Sequence, residues 1–227
     1  MPYADNEGVR IYYEIEGHGK AALMLAHGGT GSLKDWRKHG YTDAFKGEFQ
    51  LILFDARGHG QSDRPFKASI SAMADDVIAV LDSADVAEAN YWGYSMGSAI
   101  GLDLAVRHAS RFCSFIFGGI SPYQWPEAIV KPLIEARKAL AGKSEADVAV
   151  LDALINRQPL TNDELEGIDV PCLFYCGDKD PFHSEAEECV RHIPRARLVS
   201  LTGINHASVN ADQVVPHVKQ FLAEITA

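Results

Sequence analysis

Short, uninterrupted apolar runs alternate along this chain with longer stretches in which apolar residues recur every three or four positions. The runs AALMLA (21–26), LILF (51–54), FIF (115–117) and CLFYC (172–176) lack polar alternation, the pattern of strands buried on both faces. Strands are expected at Ala22–Ala26, Phe49–Phe54, Asn90–Gly93, Ser114–Gly118, Pro171–Cys176 and Ala196–Leu201, with one or two antiparallel strands over Val9–Ile15. Helical patterns fill the gaps. Ser69 can cap a helix that aligns Met73, Val77, Val80 and Leu81, and Gly97–His108 turns Ile100, Leu104 and Ala105 inward. A last helix, about Asp212–Ile225, carries Val214, Val215, Val218, Phe221 and Leu222 as a stripe. This alternation predicts an α/β fold, a mostly parallel sheet with helices on both faces. Chemistry in such sheets collects at the carboxyl ends of the strands.

One segment breaks the rhythm. From Pro122 to Gly167 no strand pattern appears between two strong ones. Two helices fit, Glu127–Leu140 with Pro132 in its first turns and a second begun by Ser144, with Arg157–Glu166 expected as polar loop. An insertion of this length points to function. We expect a single domain over 1–227, with 122–167 a reduced helical cap on which the apolar Trp125 and Leu160 have three readings: pocket lip, dimer contact or cap core.

Composition narrows the classes. The chain has 227 residues, 47% hydrophobic and 23% charged, with a net charge of −10. That size supports a core without disulfide staples. The acidic balance argues against a nucleic-acid partner, because phosphate binding needs clustered cations. No stretch approaches the ~20 apolar residues of a membrane span, and the N-terminal residues contain no apolar leader segment. Cys113, Cys172, Cys176 and Cys189 form no C-x-x-C pair and read as small buried hydrophobes in a reducing, cytoplasmic setting. No metal-ligand spacing is visible, so no zinc site is expected.

The sharpest chemical signal is Gly93-Tyr94-Ser95-Met96-Gly97, a G-x-S-x-G directly after an apolar run and directly before a helical one. A serine on a strained strand-to-helix turn needs neighbours without side chains two residues away, and Gly93 and Gly97 meet that need. A serine hydroxyl is a weak nucleophile and requires a base with its own orienting acid. In the elbow arrangement the chain order is Ser, acid, His. Two carboxylates compete after the strand at 171–176. Asp180 is favoured because the loop has cleared the strand end, and Asp178 is assigned to backbone amides. His206 follows the next strand and precedes the last helix, so it can reach over the sheet edge; His183, His192 and His217 are rivals. An oxyanion hole would take the Met96 N–H and one amide from His27–Ser32, with Gly29 first and Thr30 second.

These residues resemble the α/β-hydrolase fold superfamily, in particular its small serine hydrolases of the esterase, enol-lactonase and C–C-bond hydrolase type. The motifs are HGGTGS (27–32), DARGHGQSD (55–63), GYSMG (93–97), GDKDPF (177–182) and GINHAS (203–208), in the family's order. The resemblance implies about eight strands with the second antiparallel, a Ser95–Asp180–His206 triad, Gly29 and Met96 amides at the oxyanion, and no cofactor or metal. It also implies that the carboxylate, guanidinium and glycines of DARGHGQSD brace the loop below the site, with no direct catalytic role for Asp55, Arg57 or His59. Ser95 in place of an elbow aspartate argues against dehalogenase and epoxide hydrolase chemistry.

The leading expectation is hydrolysis of a small-molecule ester or lactone. C–C-bond or thioester hydrolysis on the same triad, and a hydrolase-like receptor with little turnover, are the alternatives. Trp36 and Tyr94 are expected as aromatic core that can also line the pocket. The oligomeric state is left open.

Overall fold

The computed structural model describes residues 2–226. Eight strands, β1 (Tyr3–Asn6), β2 (Val9–Glu16), β3 (Ala21–Ala26), β4 (Phe49–Phe54), β5 (Ala89–Tyr94), β6 (Phe112–Gly118), β7 (Cys172–Gly177) and β8 (Ala196–Leu201), form one sheet. Its order is β1-β2-β4-β3-β5-β6-β7-β8. Strand β2 runs antiparallel to β1 and β4, and every other pairing is parallel. The hairpin β1–β2 starts upstream of the expected span and turns at Glu7 and Gly8, both with positive φ, the geometry that matches strand twist.

The apolar runs are explained by the two faces. In β3, Ala22, Met24 and Ala26 enter one core while Leu23 and Leu25 enter the other. In β7, Cys172, Phe174 and Cys176 alternate in the same way with Leu173 and Tyr175. With both faces covered, no position along such a strand is left for a polar residue.

The helices, in chain order, are α1 (Lys34–Lys38), α2 (Tyr41–Phe45), α3 (Ile70–Ser83), α4 (Met96–Arg107), α5 (Glu127–Leu140), α6 (Glu145–Ile155), α7 (Asn162–Glu166), α8 (His183–Cys189) and α9 (Ala211–Thr226). The expected stripes of α3 and α4 lie in the first core, and Val214, Val218, Phe221 and Leu222 of α9 lie in the second. Ser69 caps α3 by accepting the Ala72 N–H. The short helices α1 and α2 have no counterpart in the sequence pattern, because five residues cannot display a helical period.

Segment 122–167 holds α5, α6 and α7. Its last part departs from the expected loop, since Thr161 and Glu164 form a capping box that starts α7. Helix α5 buries none of its residues, whereas α6 buries Val148, Ala149, Val150, Ala153 and Leu154. An ion pair between Arg137 and Asp152 ties α5 to α6, and Arg64–Asp147 at 2.7 Å ties α6 to the loop after β4. Arg157 closes the base of the segment by donating to the carbonyls of Ser121 and Pro122, at 3.2 and 3.1 Å. Trp125 is buried in the core, in keeping with the cap-core reading. It packs edge-on against Phe182 at 5.6 Å and lies beneath the Arg157 guanidinium. Leu160 is half-buried against the same core.

Candidate active site

Ser95 sits between β5 and α4 with φ 50° and ψ −111°. A non-glycine residue in this region is strained and is held by its surroundings. The surroundings are tight. A Cβ on Gly93 would lie 2.4 Å from the Gly97 carbonyl carbon, and one on Gly97 would lie 2.1 Å from the Ala26 oxygen. The Ser95 N–H donates to Gly118 O at 2.8 Å, which fixes the turn to the neighbouring strand.

The histidine and the favoured aspartate reach this serine. His206 Nε2 lies 3.0 Å from Ser95 Oγ, and His206 Nδ1 lies 2.8 Å from Asp180 Oδ2. An ionised carboxylate only accepts, so Nδ1 carries the proton and Nε2 is free to accept from the serine hydroxyl. The Asp180 side chain is fully buried, and its other oxygen accepts the Phe182 N–H at 3.0 Å. Asp178 lies elsewhere, accepting the Gly203 N–H at 2.8 Å. Of the rival histidines, His183 contacts Ser200, and His192 lies beside Glu166 and Glu188.

Three neighbours of His206 escaped the sequence reading. The Tyr94 ring stacks on the imidazole, and its hydroxyl donates to the His206 carbonyl. Burial holds this phenol protonated by pushing its pKa far up. Phe182 meets the imidazole edge-on at 5.5 Å. Gly119, at φ 56°, clears the ring, since a Cβ there would come within 2.9 Å of His206 Cε1. Tyr94 and Phe182 belong to the GYSMG and GDKDPF motifs, so position was the available signal; for Gly119 it was a second glycine at a strand end.

Gly29 stands beside Met96, a Cβ on it falling 3.7 Å from the Met96 Cβ. Met96 opens α4, where N–H groups have no intrahelical partner. The Gly29 loop is held from below. His27 Nδ1 donates to Gly28 O at 2.8 Å while its Nε2 accepts the Ala56 N–H at 3.1 Å. Burial pushes the His27 pKa down to about 4. His59 Nε2 faces the Gly29 carbonyl at 2.9 Å. Asp55 accepts the N–H groups of Leu33 and Gln61, both at 2.8 Å. Arg57 is paired with Asp76 in the interior. Asp55, Arg57 and His59 therefore brace loops and do not contact Ser95.

A cavity of about 410 Å³ opens on Ser95 and His206. Its walls come from the Gly28–Gly31 loop, from Asp35 and Trp36 of α1, from His39 and Tyr41, and from Tyr94, Tyr175, Ala207 and Val209. Trp36 and Tyr94 line it as well as packing in the core. None of its lining residues comes from 122–167. Among the described residues no cluster of His, Cys, Asp and Glu could hold a metal ion, and no helix is long and apolar enough to cross a membrane.

RutD of Azorhizobium caulinodans, whose name gives it as a carbamate hydrolase, is 32% identical over 161 residues, covering 70% of this chain and 57% of that protein. The chain spans about half the length of the curated relatives it matches. Among solved structures, the enol-lactonase from Burkholderia xenovorans LB400 superposes with a TM-score of 0.83 at 24% identity, over 98% of this chain and 100% of the other. A carboxylesterase structure from the thaumarchaeon Nitrososphaera gargenis gives 0.88 at 19% identity, over 99% of both chains. At these identities the two likenesses speak to the fold. The profile of the family described as alpha/beta hydrolase fold matches residues 21–135, half of the chain. With that match, the eight-stranded sheet and the serine elbow at its centre, this chain belongs to the alpha/beta hydrolase fold family.

Proposed function

We propose that this chain is a serine hydrolase that cleaves a small carboxylic ester or lactone through an acyl-serine intermediate. The observation that carries this reading is the unbroken contact line from buried Asp180 through His206 to Ser95 Oγ. His206 Nε2 takes the hydroxyl proton as Ser95 attacks the carbonyl carbon, and gives it to the departing alcohol oxygen. Asp180 holds the tautomer and stabilises the imidazolium. The N–H groups of Gly29 and Met96 receive the oxyanion. Water, deprotonated by His206, then releases the acid and restores Ser95. Segment 122–167 acts as a cap on one domain.

The reading is tested by intact-mass labelling with a fluorophosphonate probe. A single adduct on the wild type that is lost in Ser95→Ala is the expected result. A folded wild type that takes no label, or a Ser95→Ala variant that keeps near-wild-type turnover, would refute it.

Carbamate hydrolysis on the same triad is a second reading, favoured by the similarity to the Azorhizobium protein. A panel of esters, lactones and carbamates with a common leaving alcohol separates the two by kcat/KM.

A further inference from the structure

The wall of the cavity beside Ser95 carries charge of one sign. Among the described residues that line it there is neither lysine nor arginine, and its one carboxylate is Asp35. That carboxylate is built in. Its Oδ2 accepts the Ser32 N–H at 3.0 Å. It also fills the space that a Cβ on Gly31 would need, lying 2.4 Å from that position. The arginine two residues on, Arg37, is committed to Glu14 and Glu16 on β2 at 2.7 and 2.9 Å. Lys34 and Lys38 are exposed and are not among the lining residues.

The other titratable wall groups bring no fixed positive charge. Burial keeps His27 neutral near pH 7. His39 is exposed. Tyr41, whose pKa burial raises to about 12, stays a neutral phenol. Trp36, Tyr41 and Tyr94 otherwise supply aromatic lining, which carries no formal charge.

We propose that this cavity selects its substrate by charge: the half of the ester or lactone that enters it is uncharged or cationic, and a carboxylate there is rejected. The physical reason is one-sided. A carboxylate would leave water for aromatic walls, find no counter-cation and face Asp35. The unpaired like charge discriminates against the wrong substrate without adding any contact to the right one. This deepens the serine-hydrolase reading and rests on it for turnover.

The experiment compares kcat/KM for esters of butyrate, of the succinate monoanion and of 4-(trimethylammonio)butyrate. A second series carries the same charges on the alcohol, and each rate is divided by its hydroxide rate constant. In at least one series the anionic member is expected to fall about tenfold below the neutral one, with the cationic member level or faster. Asp35→Asn, whose amide oxygen can still accept the Ser32 N–H, is expected to narrow that gap. Equal rates in both series, or a gap that Asp35→Asn leaves unmoved, overturn the proposal. Binding to Ser95→Ala, followed by tryptophan fluorescence, gives a readout without turnover. There 4-phenyl-2-butanone is expected to bind about tenfold tighter than its 4-carboxyphenyl analogue. Equal affinity, or binding of neither, counts against the selection. Failure of fluorophosphonate labelling counts only against Ser95 as nucleophile.

Discussion

Tyr94 holds His206 at two points. Its ring lies 26° from parallel with the imidazole at a centroid distance of 5.4 Å, and its hydroxyl donates to the carbonyl of the same residue. The residue before the elbow serine therefore sets where the His206 imidazole stands. We expect Tyr94→Phe, which keeps the ring and loses one hydrogen bond, to lower kcat about fivefold with little change in KM. Tyr94→Ala should lower it further. Steady-state kinetics on both variants, with thermal melts to verify folding, checks this; a Tyr94→Phe enzyme with wild-type kcat would remove the positioning role.

The two aspartates after β7 should separate cleanly. Asp180→Asn offers His206 Nδ1 the wrong partner for the productive tautomer, and a loss of about 10⁴ in kcat is expected. Asp178→Asn retains an oxygen for the Gly203 N–H and should stay within a few-fold of wild type. The opposite ranking would move the orienting acid to Asp178.

His27 makes stability depend on pH. Its folded pKa of about 4 lies below the ordinary value of 6.5, so between these values the unfolded chain binds the extra proton. Stability is full above pH 6.5 and falls as pH drops through 4, by about 3 kcal/mol from this group. Burial is the main cause, and the geometry agrees with it. A proton on Nε2 would point at the Ala56 N–H, which it now accepts. Urea unfolding from pH 7 to pH 4, compared with His27→Gln, measures it; an unchanged slope in the variant would assign the pH dependence to other groups.

Arg57 and Asp76 form a two-pronged ion pair in the interior, at 2.5 and 2.6 Å, with Asn6 donating to Asp76 Oδ1 at 2.8 Å. Removing one charge leaves the other buried and alone. Asp76→Ala should destabilise the fold by about 3 kcal/mol. Fluorophosphonate labelling at low temperature should persist, because neither residue contacts Ser95. A fall in labelling at full folding would instead connect this pair to the oxyanion loop.

Much of this molecule could be read along the chain, for a local reason. Strands β3 and β7, and β4 from Leu51 onward, are apolar because each face meets its own core, and that requirement is written within four to six residues. The elbow was legible because Gly93 and Gly97 answer clashes with atoms a few residues away or on the adjacent strand. The order Ser95, Asp180, His206 follows from strand order in a parallel sheet, where each loop returns to the same edge. What distance along the chain conceals was settled by packing. Ser95 and His206 meet across 111 residues. Trp125, polar in its surroundings by sequence, is buried because Phe182 and Arg157 arrive from elsewhere. The cavity wall is built from α1 and the residues up to Tyr41, a stretch too short to show a period and invisible as a wall until the Gly28–Gly31 loop folds against it. Local sterics and solvation leave their mark on neighbouring residues, whereas a pocket exists only where segments that share no sequence pattern converge.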